Sequence, residues 1–263
     1  MKIAILAAGY SKYFPLFIDK PKCLYHLNGK IQLERVIEDA LQFVPEKDII
    51  VVGGYKYKYI ERFLRKYPQI DFRVNKKYMQ PAVYSFRKAI EDIDDDIVFM
   101  FGDESISREN IKRISDSNKQ LSLLYHDKFY YYSLGIMKFR KDVLQLLNDD
   151  YYLSIDFLRN VYPFANNGKE YDGSFSINSG ICIGYMMIDL VRRIGNIERI
   201  EHPSLYKGEE IDFFHYDPDT EYIPDLDTIY ATDEYKKNFI LKVYNKFFSN
   251  PLKKVLRLCR INI

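Results

Sequence analysis

Apolar residues fall along this chain in short continuous runs separated by stretches of helical spacing. Lys2 to Ala8 is one such run, bounded by Gly9, and Ile49 to Val52 is another, ending in Gly53-Gly54. Unbroken runs of this length predict buried parallel strands, because a strand covered on both faces has no polar side. Between them, Ile31 to Phe43 carries Leu33, Val36, Ile37, Ala40 and Leu41 at the spacing of one helical face. Strand, loop, helix and strand make a βαβ unit. The alternation continues with a helix over Tyr57 to Lys66, a short strand at Phe72 to Val74 and a helix over Ala82 to Ile90. A strand over Ile97 to Phe101 then stops at Gly102-Asp103. Three such units predict a Rossmann-like α/β fold: three α/β/α layers around a mixed, mostly parallel sheet.

After about residue 115 the pattern shortens. Leu121 to Tyr125, Tyr130 to Phe139 and Phe175 to Ile183 read as strands, and Lys141 to Leu147 as a short helix. No Gly-, Ser- or Pro-rich linker and no internal repeat interrupts the chain. The expectation is therefore one domain over 1–263. It comprises a first half (1–115), a second half of shorter elements (116–235) and a basic tail (236–263).

Composition narrows the picture. At 263 residues the chain is long enough to bury a core without disulfides. Cys23, Cys182 and Cys259 are an odd, widely spaced set with neither a disulfide framework nor metal-ligand spacing, which suits a reducing cytoplasm. The apolar stretch after Met1-Lys2 is too short for a secretory h-region, and no run approaches the roughly 18 apolar residues of a spanning helix. The 24 Tyr and 18 Phe lie within apolar patterns and do not interleave with a basic patch, which argues against a nucleic-acid surface. The net charge of +2 conceals a tail that, from Lys236 onward, holds eight Lys or Arg and no Asp or Glu. Phe239, Val243 and Phe247 share one helical stripe there. Two readings stand: a basic amphipathic helix in weak contact with an anionic membrane surface, or a terminal helix packed on the sheet.

The candidate chemistry begins at Gly9, which ends the first strand ahead of Tyr10-Ser11-Lys12. A turn there presents N–H groups to phosphate, with Lys12 adding a cation; the alternative is an ordinary tight βα turn. The neighbourhood is more specific. Leu6-Ala7-Ala8-Gly9-Tyr10-Ser11-Lys12-Tyr13-Phe14-Pro15-Leu16 is followed by Asp19-Lys20-Pro21-Lys22, Gly29-Lys30 and Glu34-Arg35-Val36. In that order these pieces resemble the opening signature of the sugar-phosphate nucleotidyltransferase superfamily, whose sheet is GT-A-like. The resemblance implies that Leu6, Ala7, Ala8, Gly9, Tyr10, Ser11 and Lys12 wrap the phosphates of a nucleoside triphosphate. It also implies that Lys22 stabilises charge at the reacting phosphate. The chain departs from the pattern in lacking the second glycine of the loop, and Lys12 stands where the family has Arg. A lysine neutralises phosphate as a point charge without the bidentate fork.

Gly102-Asp103 places a carboxylate at the carboxyl end of a parallel strand, where open α/β sheets bind ligands. A magnesium ion needs one or two such carboxylates plus phosphate oxygens. Asp103 reads either as that ligand or as a cap for the segment Glu104 to Ile114. Late in the chain, Tyr222 to Thr228 followed by Thr232 to Tyr235 resembles the family's closing motif, which implies that Asp227 or Asp225 completes an Mg²⁺ site with Asp103. By the same resemblance, Gln80 and Ser85, around the Gln80-Pro81-Ala82 turn, lie where relatives read base and ribose, with Gly102 beside the nucleotide. The acceptor strand corresponds either to the segment of Gly135 or to that of Asn178, and both assignments stay open. His26, His126, His202 and His215 are isolated and suggest neither a triad nor a zinc site.

The resemblance thus implies an Mg²⁺-dependent nucleotidyltransferase, with CTP favoured as donor. Its acceptor is a small phosphorylated compound such as a sugar phosphate or a phosphocholine-like molecule, activated in the cytoplasm for surface polysaccharide. A nucleotide-sugar-dependent glycosyltransferase and a degenerate nucleotide-binding protein are the rival readings. The sequence leaves the acceptor and the oligomeric state undetermined.

Overall fold

The computed structural model describes residues 1–9, 20–27, 29–125, 135–165, 181–196 and 208–215. In chain order the first elements are β1 (Lys2–Ala7), the two-residue strands β2 (His26–Leu27) and β3 (Lys30–Ile31), α1 (Gln32–Ala40), β4 (Ile49–Gly53) and α2 (Tyr57–Phe63). Next come β5 (Asp71–Val74), α3 (Val83–Ile90), β6 (Ile97–Phe101) and α4 (Arg108–Asp116). They are followed by β7 (Leu121–Tyr125), β8 (Ile136–Phe139), α5 (Ile155–Ala165), α6 (Ile181–Gly195) and β9 (Ile211–His215). Seven strands form one sheet in the order β5-β4-β1-β6-β8-β7-β9. The first four are parallel, β8 runs antiparallel to both β6 and β7, and β9 is parallel to β7. The sheet is mixed and mostly parallel, as the sequence predicts.

The strands are apolar throughout because both faces are covered. From β1, Ile3, Ile5 and Ala7 point to a core shared with Leu33 and Ile37 of α1, Ile60 of α2 and Ile111 of α4. Ala4, Leu6 and Ala8 point to the opposite core, with Phe86 of α3, Phe157 of α5 and Met187 of α6. The period of two along one strand thus divides a continuous apolar run between two helical layers. Phe99 of β6 is fully buried between Phe86 and Phe139, with ring centroids 4.7 and 5.6 Å away.

Helix α1 ends at Ala40, short of the expected Phe43, because Leu41 to Val44 turn into Pro45. Lys138, the one basic residue of β8, is buried. It donates to the carbonyl oxygens of Ser115 (2.9 Å) and Ser117 (2.5 Å), at the C-terminal end of α4, where a cation offsets the helix dipole.

One expectation is corrected, and two others are met with a difference of type or extent. The strand expected over Phe175 to Ile183 is contradicted from Ile181 onward, where α6 runs to Gly195; residues 175–180 lie outside the described residues. Residues from Tyr185 to Leu190 are all buried, so no polar face marks the helical period, and an apolar run of this kind cannot be told from a strand by pattern alone. The helix expected over Lys141 to Leu147 is a 3-10 run, Lys141–Asn148. Of the strand expected over Tyr130 to Phe139, the described part is Ile136–Phe139, preceded by Gly135 at φ +73°. Among the described residues no helix is long and apolar enough to cross a membrane.

Candidate active site

The chain order places a crossover beside β1. From β1 it passes to β4 and β5 on one side, then returns through α3 to β6 on the other. Open α/β sheets bind ligands outside the carboxyl ends of their strands at this switch point. Three strand exits meet there: Ala8-Gly9 after β1, Gly54 after β4 and Gly102-Asp103 after β6.

Two glycines let these exits approach. A Cβ on Gly54 would lie 2.6 Å from Cβ of Tyr78 and 2.7 Å from the carbonyl oxygen of Ala8, which accepts from the Tyr55 N–H at 3.1 Å. The exits of β1 and β4 are therefore in backbone contact, and Gly54→Ala is expected to destabilise the fold by about 1–3 kcal/mol, the range for overpacking. Urea unfolding would measure it; an unchanged midpoint would show that the exits can separate without loss. At Gly102 the N–H donates to Leu6 O at 3.0 Å, and an added Cβ would sit 3.1 Å from Cβ of Ala7. The residue after it, Asp103, leaves the sheet at the mouth of the crevice.

Asp103 does not cap the following helix. Ser107 takes that role for α4, its Oγ accepting from the Asn110 N–H at 3.2 Å. The carboxylate of Asp103 instead forms an ion pair with Nζ of Lys22. Lys22 opens a 3-10 turn, Lys22–Leu24, directly after Pro21. Cys23 and Leu24 anchor the turn in the core beside α1, leaving Lys22 at the crevice. The two charged side chains are only 16% and 21% exposed, so much of each charge is withdrawn from water and balanced by the other. Burial, and then the Asp103 carboxylate, push the Cys23 thiol well above the usual thiol range. It stays protonated at neutral pH and has no thiolate to offer as a nucleophile.

Of the two predicted acceptor residues, Gly135 is brought close to the exit of β6. A Cβ there would meet the carboxylate of Glu104 and would lie 2.8 Å from Cδ1 of Ile106, and the Gly135 carbonyl accepts from Phe101 N–H at 3.1 Å. Leu6, Ala7, Ala8 and Gly9 form and leave β1 at the crevice, and a Cβ on Gly9 would meet nothing within 4 Å. Gln80 is exposed, in the turn before α3. Ser85 Oγ accepts from Nδ2 of Asn75 at 3.0 Å. Buried Asn75 was missed in the sequence. Its N–H donates to Gly53 O and its side-chain oxygen accepts from Lys77 N–H, so it fixes the exit of β5 against that of β4. An Asn directly after a short strand was the available signal. Beyond it, exposed Lys76 and Lys77 and the ring pair Tyr55 and Tyr78, 6.1 Å apart, form a basic and aromatic rim.

Tyr10, Ser11, Lys12, Asn178, Asp225 and Asp227 lie outside the described residues. Among the described residues no three His, Cys, Asp or Glu side chains group as a metal site. Asp103 is a hard oxygen donor of the kind magnesium takes singly or in pairs when phosphate oxygens and water complete its shell.

Residues 19–132 match a family model described as a domain of unknown function (DUF6564). CTP:phosphoglutamine cytidylyltransferase of Campylobacter jejuni is 29% identical over 133 residues, covering 47% of this chain and 52% of that protein. The bifunctional protein GlmU of Buchnera aphidicola is 38% identical over 129 residues, covering 47% of this chain and 27% of that protein. The chain thus spans about half of the first relative and about a quarter of the second. The solved structure of CTP:phosphocholine cytidylyltransferase from Streptococcus pneumoniae aligns with a TM-score of 0.54 at 14% identity, over 92% of this chain and 98% of that one. At that identity the likeness is one of fold.

Proposed function

We propose that this chain, whose N-terminal half is similar to a CTP:phosphoglutamine cytidylyltransferase, is a nucleotidyltransferase of the sugar-phosphate superfamily that transfers a nucleotidyl group, from CTP by preference, to a small phosphorylated acceptor. A phosphate oxygen of the acceptor attacks the α-phosphorus in line. The bond from that phosphorus to the bridging oxygen breaks, and pyrophosphate leaves. The protein's work is positioning and charge neutralisation, with little covalent chemistry of its own.

The observation that carries this reading is the meeting of Lys22 and Asp103, distant in sequence, at the switch point beside Gly9 and Gly102. A cation and a hard anionic donor side by side serve a substrate made of phosphates and a divalent metal. In this reading Asp103, with Asp227 or Asp225, holds Mg²⁺, which when bound neutralises phosphate oxygens. Lys22 and Lys12 add fixed positive charge, and the N–H groups from Leu6 to Ser11, with Gly102, cradle the nucleotide. Gln80 and Ser85 would contact the base and ribose, and the segment of either Gly135 or Asn178 would serve the acceptor. CTP is favoured because the Campylobacter relative is named for it. The product would supply a cytoplasmic step toward surface polysaccharide.

The test is pyrophosphate release from each of four nucleoside triphosphates against a panel of sugar phosphates, polyol phosphates and phosphocholine. Release with CTP and one acceptor class is expected. Release with none, while nucleotide binding persists, would overturn the enzymatic reading; turnover of a nucleotide sugar without pyrophosphate would replace it with glycosyl transfer.

A further inference from the structure

The first residue of α1, Gln32, is fully buried although the face it occupies is otherwise apolar. Its side-chain amide donates to Ser105 Oγ at 2.6 Å, and its Oε1 finds no partner among the described residues. Its backbone N–H donates to Tyr25 O at 3.0 Å, at the end of the turn that carries Lys22. The next residue, Leu33, packs against the position a Cβ on Gly102 would occupy, at 3.4 Å. One helical end thus touches both the Lys22 turn and the loop that begins Gly102-Asp103-Glu104-Ser105.

Burying an amide with half of its hydrogen-bonding capacity unmet opposes folding, and a leucine of similar volume would fill the place without that cost. Gln32 is therefore explained poorly by stability. We propose that Gln32, through Ser105, is a positioning residue that sets the Asp103 carboxylate against Lys22. This rests on the reading of Asp103 and Lys22 given above. The physical reason is that Asp103 lies in a loop with no helical cap of its own, because Ser107 caps α4. A hydrogen bond to a rigid helix end fixes the loop where a hydrophobic contact would let it slide.

The test compares the full chain with Gln32→Leu, Ser105→Ala, Ser105→Thr and the double variant Gln32→Leu/Ser105→Ala. It reads kcat, KM, melting temperature and Mn²⁺ affinity by calorimetry. Gln32→Leu and Ser105→Ala are each expected to lower kcat and Mn²⁺ affinity about 10- to 100-fold. The KM for nucleotide should change little, and Gln32→Leu should melt no lower than wild type. The double variant should lose no more than the worse single one, and Ser105→Thr, which keeps the hydroxyl, should retain activity. Full activity and unchanged Mn²⁺ affinity in Gln32→Leu, additive losses, or a kcat loss that tracks a lower melting temperature would overturn the proposal alone. A wild-type chain that releases no pyrophosphate, and whose Mn²⁺ affinity is the same after Asp103→Asn, would overturn the underlying site reading and the proposal with it.

Discussion

Replacing Asp103 by Asn is expected to lower turnover by at least about two to three orders of magnitude, the scale on which loss of one preorganised electrostatic group at a reacting centre is felt. Folding should survive. Asp103 caps no helix, and the isosteric amide occupies the same volume at the crevice mouth. A second consequence separates a metal ligand from a simple salt-bridge partner. In chelator, with no divalent cation present, the wild-type carboxylate repels the triphosphate and also holds Lys22. Asn does neither. Metal-free nucleotide binding by Asp103→Asn should therefore be tighter than by wild type, although the variant turns over poorly with Mg²⁺. Equilibrium binding of CTP in EDTA, with pyrophosphate release in Mg²⁺, reads both arms. Retained turnover would remove Asp103 from the chemistry; weaker metal-free binding would mean that the carboxylate holds the crevice open for nucleotide.

The reciprocal change acts in the opposite sense. Lys22→Met is expected to cost about 10²- to 10³-fold in kcat/KM and to weaken metal-free nucleotide binding, since it removes a cation and leaves a poorly solvated carboxylate facing the phosphates. Lys22→Arg restores charge with different geometry, so it should recover part of the loss. Because the two side chains touch, the losses of Lys22→Met and Asp103→Asn should not add in the double variant. Strict additivity would show that the pair does not act as one unit. Equal, same-direction effects of both single changes on metal-free binding would reduce the pair to a structural tie between the 3-10 turn and the β6 loop.

How much of this was legible beforehand differs between the two halves of the chain. The N-terminal strands could be read because a parallel strand covered on both faces is a continuous apolar run, and Gly9, Gly53-Gly54 and Gly102 punctuate three of them. The stripe of Leu33, Val36, Ile37 and Ala40 marked α1 for the same kind of reason, since one face meets the core and the other meets water. In the later part the sequence pattern marks neither α5 nor β9, and of α6 only Ile181 to Ile183 fall in an expected element, a strand. An element buried nearly all round shows no period, and a strand such as Ile211–His215 is placed by its partner Leu121–Tyr125, which lies far away in sequence.

The candidate site divides in the same way. Leu6 to Gly9 and Lys22 could be named from the sequence because their segment resembles a family signature, and Asp103 because a carboxylate just after a parallel strand lies where open α/β sheets bind ligands. Their mutual arrangement could not be. That Lys22 faces Asp103, that Asn75 ties the exit of β5 to that of β4, and that Gln32 reaches Ser105 are all consequences of sheet order. The sequence by itself determined which strands form and where their glycines let the backbone turn, because those are local properties of a few neighbouring residues. Which strand exits adjoin, and so which charges meet, was decided by the crossover that sets β6 beside β1. That choice depends on burying two helical layers at once, and only the packed tertiary structure expresses it.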